Sequence, residues 1–311
     1  MRFAIFGTGG VGGYFGGRLA QASEDVMFIA RGGHLQAIRE HGLRVDSIGG
    51  DFIVQPARAT DDPASIGQVD AVLVAVKAWQ LPEAIRQMSP LVGEGTCVVW
   101  LGNGIEGADQ LAEAFGRGRV VGGLCRISSF IGGAGHIRHV GIQPYIAFGE
   151  LDRAQSPRVE ALREAFARCA GVRVEVPPDI HVALWEKFIF IAAVSGVGAL
   201  TRQPIGVYRS VPETRAMLVR ALEEVADVGR ARGIALAEAA AQNVLANVID
   251  KAAEGVIASM QKDVMEGRPS ELEAQTGAVT RLGRALGIPT PTHDFIYACL
   301  LPQERKARGE V

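Results

Sequence analysis

Lys187 stands in the run Ala183-Leu184-Trp185-Glu186-Lys187-Phe188-Ile189-Phe190-Ile191, which is apolar nearly all round a helix and is therefore expected to be buried. Lysine is seldom buried without a partner. A lysine here needs a carboxylate, a ligand or a cleft, or else it sits at the helix edge with its ammonium in water. In the first case desolvation brings its pKa down toward the range of a general acid. Residues four apart share a helix face, so Lys187, Ile191 and Ser195 form one stripe, polar at both ends and apolar in the middle. A charge partner for Lys187 is offered by Glu271. It lies in Ser270-Glu271-Leu272-Glu273, a capping-box pattern expected to open a helix whose N-terminal dipole would keep the carboxylate ionised. The same pattern also fits a routine first-turn glutamate.

A second constellation lies at the other end of the chain. Gly7-Thr8-Gly9-Gly10-Val11-Gly12 follows a short apolar strand, Arg2 to Phe6, and precedes a helix with Tyr14, Phe15, Leu19 and Ala20; a further apolar strand runs from Val26 to Ala30. A glycine pattern of this spacing is a dinucleotide fingerprint only in such a strand–loop–helix–strand context. Gly7 permits the tight turn, Gly9 lets backbone approach a pyrophosphate, and Gly12 allows helix and sheet to pack closely. The free N–H groups and the dipole at the helix start favour phosphate. An NAD site usually carries Asp or Glu at the end of the second strand to bind the ribose 2′-OH. Here that position reads Ala30-Arg31-Gly32-Gly33-His34, and Arg31 suits the 2′-phosphate of NADP(H). Two later strands run into Lys77 and into Gly102-Asn103-Gly104. Ligands of open α/β sheets bind at the carboxyl ends of strands, so Lys77 and Asn103 are expected to face the cofactor.

The elements that must position these groups follow from periodicity. Apolar runs at Ala71 to Val76, Cys97 to Leu101 and Val120 to Leu124 alternate with helix-like stretches around 81–90 and 106–115. This predicts an α/β fold, a Rossmann-type doubly wound sheet. Leu43 to Val45 and Phe52 to Val54 read as a small antiparallel insertion. Short β pieces at His136 to His139 and Tyr145 to Phe148, a helix near 156–170 and a strand at Val172 to Val176 complete the domain. Pro177-Pro178 then ends the strand signal. We expect residues 1–177 to form the NADP-binding domain and residues 178–311 an all-α substrate and catalytic domain. Its helices are expected from Asp179 to about Leu200, from Pro212 to near Gly233, from Ala237 to about Glu266, and from Ser270 onward.

Composition excludes several classes. A chain of 311 residues with 48% hydrophobic and 21% charged residues suits two ordinary globular domains. A net charge of −2 offers no basic surface for nucleic acid or an anionic membrane. The four cysteines form no CxxC, which fits a reducing cytoplasm better than a disulfide framework or a zinc site. The apolar run from Phe188 to Leu200 is shorter than the roughly 20 residues a membrane span needs. His136, His139 and His181 lack metal-ligand spacing, so no metal is expected. Ser128-Ser129 lacks a nucleophile elbow. Trp79, Trp100 and Trp185 read as packing residues.

Taken in order, the Gly7 to Gly12 loop, Arg31, Val76-Lys77-Ala78-Trp79-Gln80, Asn103-Gly104, Leu184-Trp185-Glu186-Lys187, Ala258-Ser259-Met260-Gln261-Lys262-Asp263 and Ser270-Glu271-Leu272-Glu273 resemble the ketopantoate reductases over nearly the whole chain. The resemblance implies NADPH-dependent reduction of 2-dehydropantoate (ketopantoate) to pantoate, in pantothenate synthesis. It implies Lys187 as the general acid, Glu271 as the group that holds and tunes it, and Ser259 on the substrate carboxylate. It further implies Lys77 and Asn103 on the nicotinamide side and Arg31 on the 2′-phosphate. One departure bears on the substrate. The family stripe is typically Lys, Asn, Asn, where this chain has Lys187, Ile191 and Ser195, and Gly196-Val197-Gly198 lacks the usual Asn-Pro. Losing a buried donor costs about 1–3 kcal/mol in binding. A different 2-oxo acid is therefore the alternative substrate, and an NADPH-responsive, non-catalytic binding module the alternative of another class. The expected partner is a small 2-oxo acid, and a homodimer interface would fall on the helical domain.

Overall fold

A computed structural model describes residues 1–311, which separate by contact into two units. The first comprises residues 1–102 and 107–180, the second residues 103–106 and 181–311. In the first unit, β1 (Arg2–Phe6), α1 (Gly10–Gln21) and β2 (Asp25–Ile29) form the expected opening unit. They are followed by α2 (Gly32–His41), β3 (Leu43–Ser47), β4 (Phe52–Val54) and β5 (Arg58–Thr60). Then come β6 (Ala71–Val74), α3 (Leu81–Met88), β7 (Cys97–Trp100), α4 (Gly107–Phe115), β8 (Val120–Gly133), β9 (His136–Glu150), α5 (Pro157–Ala167) and β10 (Arg173–Glu175). The ten strands make one sheet in the order β4-β3-β9-β8-β7-β6-β1-β2-β5, with β10 on β9. From β8 to β5 every pairing is parallel, and the order reverses at β1, which lies between β2 and β6. Apolar cores cover both faces of the sheet, as a doubly wound fold requires.

One local expectation resolves differently and another is borne out. The β pieces at 120–124, 136–139 and 145–148 belong to two long antiparallel strands, β8 and β9. Register shifts between Arg126 and Ser128 and between Ile131 and Gly133 absorb the irregular spacing that broke the alternation in the sequence. The insertion at 43–54 is the antiparallel β3–β4 pair, and β3 also pairs in parallel with β9.

The second unit is helical: α6 (Ile180–Thr201), α7 (Ile205–Ser210), α8 (Pro212–Ala231), α9 (Ala240–Val244), α10 (Ser259–Met265), α11 (Thr276–Leu286) and α12 (Pro291–Arg308). Helix α6 is long and apolar enough to cross a membrane by composition alone, but Trp185, Phe188, Ile189, Val194 and Val197 bury it in the core of this unit. The single helix expected from Ala237 to Glu266 is instead α9, a π turn over residues 245–249, an irregular stretch and α10. Arg209 accounts for the break: its Nη1 donates to the carbonyls of Ile249 and Ala252, both at 2.7 Å, and so satisfies the helix end from outside. The capping box at Ser270 does not open a helix either. The Ser270 hydroxyl is held by Glu304 and accepts from Leu272 N–H at 3.2 Å, while Glu273 is taken by Arg281 and Tyr297, so α11 begins only at Thr276.

A buried carboxylate starts α12. Glu224 of α8 accepts from the N–H groups of Thr292 (2.7 Å) and His293 (3.0 Å) and from His293 Nδ1 (2.8 Å), which therefore carries the hydrogen. Burial opposes ionisation of Glu224, yet these bonds, with the His293 ring foremost, hold its pKa below the usual carboxylate value. A carboxylate depressed in the folded state contributes stability above its unfolded pKa, and that stability is lost as pH falls through the folded value. Glu224→Gln is therefore expected to lose about 1–3 kcal/mol in urea unfolding at pH 7. The gap to the unsubstituted protein should narrow as pH falls below about 4; a gap that does not change with pH would remove the carboxylate from the account.

Candidate active site

The glycine loop sits at the point where the strand order reverses, at the carboxyl end of β1, which is where open α/β sheets bind ligands. Gly7 has φ +98, and a Cβ there would meet Val76 Cγ1 at 2.8 Å. Thr8 is turned away from the loop opening, its N–H and hydroxyl both donating to the Ile29 carbonyl at the end of β2 (3.1 and 2.9 Å). A Cβ on Gly10 would lie 2.3 Å from the Ser129 carbonyl oxygen, and one on Gly12 would lie 2.1 Å from the Gly7 carbonyl oxygen. Gly9, the N-cap of α1, differs from these: no atom lies within 4 Å of a Cβ built on it, and no side chain caps the helix. Val11 is half-buried in the first turn. The loop thus presents bare backbone and an uncapped helix start to open space, which fits a pyrophosphate.

Side chains around this loop extend the site. Arg31 follows β2 as the N-cap of α2 and donates from Nη2 to Gln87. It lines a cavity of about 480 Å³ with Asp61, Asp62, Pro63, Ala64, Gln87 and Pro90. The Asp62 carboxylate is occupied by Ala64 N–H at 3.0 Å. His34 accepts at Nδ1 from Gly135 N–H (3.0 Å), so its Nε2 carries the hydrogen and donates to the Thr8 carbonyl (2.8 Å). The glycine loop, α2 and the β8–β9 turn are tied together in this way. Lys77 caps the short turn after β6, with its N–H on Gln80 Oε1 (3.2 Å) and its ammonium 5.7 Å from the centre of the Trp79 ring.

In the helical unit a second polar group forms around Glu271, which is only 3% exposed. Its Oε2 accepts from Asn103 Nδ2 at 3.0 Å and from Gln275 Nε2 at 3.5 Å. Asn103 thus belongs with this unit, and its Nδ2 is used on a carboxylate. The segment 103–106 is held here by two further features. A Cβ on Gly104 (φ +97) would meet the Ala274 carbonyl oxygen at 2.8 Å, and Glu106 pairs with Arg281 at 2.7 Å. Lys187 and Ile191 lie one turn apart on α6 and are both partly exposed. Ser195, one turn further, is fully buried, and its hydroxyl has no hydrogen-bond partner. The hydroxyl of Thr276 and Oε1 of Gln275 are buried and unpartnered too. Ser259 is exposed at the start of α10. Gln275 was not singled out from sequence; its spacing of four from Glu271 was the available signal, hidden because 270–275 read as regular helix. No group of three His, Cys, Asp or Glu side chains is arranged to hold a metal ion. Burial pushes the Cys97 and Cys169 thiols up to about 12, which makes them poor nucleophiles.

Residues 3–153 match the family model for ketopantoate reductase PanE/ApbA, and residues 179–304 match that for its C-terminal domain. The chain belongs to the ketopantoate reductase family. It is 31% identical to the 2-dehydropantoate 2-reductase of Mesorhizobium japonicum, over 96% of both chains. The crystal structure of 2-dehydropantoate 2-reductase from Geobacter metallireducens is similar at a TM-score of 0.90 and 32% identity, covering 97% of this chain and 99% of that one. A ternary structure of D-mandelate dehydrogenase with NADH and anilino(oxo)acetate shares the fold, with a TM-score of 0.87 at 22% identity over 99% of this chain and 100% of that one. Membership makes the protein an oxidoreductase that works with a nicotinamide cofactor and sets aside the non-catalytic module.

The glycine geometry separates two roles that one motif combines. Gly9→Ala is expected to leave the thermal midpoint unchanged, because the new methyl meets no protein atom, and to weaken cofactor binding by about tenfold or more through contact with the pyrophosphate. Gly12→Ala is expected to lower the midpoint by several degrees, because its methyl must displace the Gly7 carbonyl. Calorimetry and cofactor titration of both variants check this; a destabilised Gly9→Ala protein would contradict the assignment.

Proposed function

We propose that the protein reduces ketopantoate to pantoate with NADPH. The observation that carries this reading is the partly exposed Lys187 on a helix whose Trp185, Phe188, Ile189 and residues 192–199 are buried in the core, in a unit whose interior also holds the buried carboxylate of Glu271. NADPH, when bound, supplies the hydride that reduces the keto carbon. The Lys187 ammonium donates a proton to the oxygen as negative charge develops there, and solvent restores it afterwards. Glu271, with its Oε2 fixed by the Asn103 and Gln275 amides, favours the charged form of Lys187. Ser259 receives the substrate carboxylate. Backbone around Gly9 to Val11 and the α1 N-terminus hold the pyrophosphate, Arg31 takes the 2′-phosphate, and Lys77 contacts the nicotinamide side.

A specific observation favours a second reading, in which the acid is a different 2-oxo acid. Ile191, partly exposed one turn from Lys187, offers only apolar surface where the family typically has a donor, and the Ser195 hydroxyl is fully enclosed. A branched or aromatic side chain on the substrate would suit that surface better than a hydroxyl.

NADPH oxidation with ketopantoate and with a panel of branched and aromatic 2-oxo acids tests both readings. Lys187→Ala is expected to bind NADPH and to lose about 10²–10⁴ in kcat; turnover near that of the unsubstituted protein would remove Lys187 as the acid. Ile191→Asn is expected to raise kcat/KM for ketopantoate if the second reading holds and to change it little if the first does. Arg31→Ala is expected to weaken NADPH by about tenfold or more while leaving NADH nearly unaffected. Equal losses for the two cofactors would take the 2′-phosphate away from Arg31.

A further inference from the structure

Glu271 lies in a run of turns ahead of α11, where no regular helix fixes its backbone. The constraint comes from the far end of α12. Glu304 is 3% exposed, and its two carboxylate oxygens accept from Ser270 N–H at 3.0 and 3.1 Å; Oε2 also accepts from the Ser270 hydroxyl. Arg308, one turn on, pairs with Glu304 Oε1 at 2.6 Å and donates to the Ser270 carbonyl at 2.9 Å. The Ser270 hydroxyl in turn accepts from Leu272 N–H at 3.2 Å. Every polar group of Ser270 is therefore occupied. The consequence falls on the next residue. Peptide groups are planar, so anchoring the Ser270 carbonyl fixes the plane before Glu271 and anchoring Leu272 N–H fixes the plane after it. Arg308 thus anchors the plane before Glu271, and the plane after it is held by the Glu304-bound Ser270 hydroxyl together with Ala274 and Gln275 N–H on the Glu271 carbonyl (3.1 and 3.0 Å).

Burying a carboxylate is costly, and an apolar replacement for a buried ion pair is often at least as stable, so stability alone is a weak reason for Glu304. Holding a reactive group in one geometry is a better one, because small misplacements of such groups cost large factors in rate. We propose that Glu304, with Arg308, is a positioning residue for the reduction, aiming the Glu271 carboxylate by clamping Ser270. This rests on the role given to Glu271 above.

The test is a kinetic double-mutant cycle on the full chain. Glu304→Gln is expected to lower kcat by about tenfold to a hundredfold with the NADPH dissociation constant unchanged, and to move the basic limb of the kcat–pH profile. Adding it to Glu271→Gln should cost nothing more, since a residue acting through Glu271 has no effect once that carboxylate is gone. Independent, multiplicative losses would overturn the proposal, as would an unchanged kcat and pH profile in Glu304→Gln. Should Glu304→Gln not fold, Ser270→Ala removes the hydroxyl that links Glu304 to Leu272 N–H while leaving the Ser270 backbone contacts, and is read in the same cycle, with a smaller loss expected and the same two outcomes against it. If Glu271→Gln itself retains full turnover, the function assigned to Glu271 has failed, and that result is distinct from failure of the clamp.

Discussion

Helix α1 must be gripped on two sides at once, and the geometry of the first unit follows from that constraint. A Cβ on Gly16 would meet Ile5 Cγ1 at 2.6 Å and Phe28 Cε1 at 2.8 Å, on the β1–β2 side. On Gly13 it would meet Ile137 Cγ1 at 2.7 Å, and on Gly17 Phe52 Cε2 at 3.0 Å, on the side of β9 and β4. Each glycine in a helix interior costs about 1 kcal/mol relative to alanine. The helix persists because Tyr14, Phe15 and Leu19 are completely buried in the same core. Side-chain-free faces let two stretches of the one sheet close on the helix, and its N-terminus, with the open ground at Gly9, is held where the strand order reverses. The long bulged β8–β9 pair and the β3–β4 insertion are the second jaw of that grip.

The helical unit uses a different device. Its buried carboxylates Glu224, Glu304 and Glu271 bond to backbone or amide groups, with an Arg308 ion pair added at Glu304. Glu224 satisfies the first N–H groups of α12, and Glu304 satisfies Ser270 from the same helix near its other end. Helix α12 is thereby held at its start and used as a fixed arm at its finish. Glu271, a third buried carboxylate, gathers the side-chain amides of Asn103 and Gln275. A carboxylate held through neutral amides keeps its charge available to a nearby cation. That difference fits the role proposed for Glu271 and the structural part played by Glu224.

What could be read from the sequence divides along the same line. The loop from Gly7 to Gly12 obeys local rules of turn, close approach and helix start, so its neighbours along the chain were enough to recognise it and the α/β unit around it. Arg31 is fixed by the end of β2 in the same local sense. The misreadings all involve partners distant in the chain. Ser270 to Glu273 has the residues of a capping box, but Glu304 and Arg281 compete for them; the segment 237–266 has helical periodicity, but Arg209 takes its carbonyls. Asn103 follows a Rossmann strand yet spends its amide on Glu271, 168 residues away. No spacing rule reaches that far.

The cofactor and substrate halves of the functional reading therefore rest on different kinds of atoms. Pyrophosphate recognition is written mainly in backbone and in the absence of side chains, which only a narrow set of residues can provide. The residues proposed to recognise the acid are side chains on α6, α10 and the Glu271 turn, where a substitution need not disturb the fold. Ile191 and Ser195 lie on α6 with Lys187 without breaking the helix, and the small residues Gly196 and Gly198 beyond them let Thr276 and Gln261 pack against it. With Lys187 as the proposed acid, a helix can keep its lysine for protonating an alkoxide while the residues after it vary with the acid received. Under the second reading proposed above, the substrate's side chain would meet Ile191, and a branched apolar residue one turn from Lys187 favours apolar bulk over a hydroxyl.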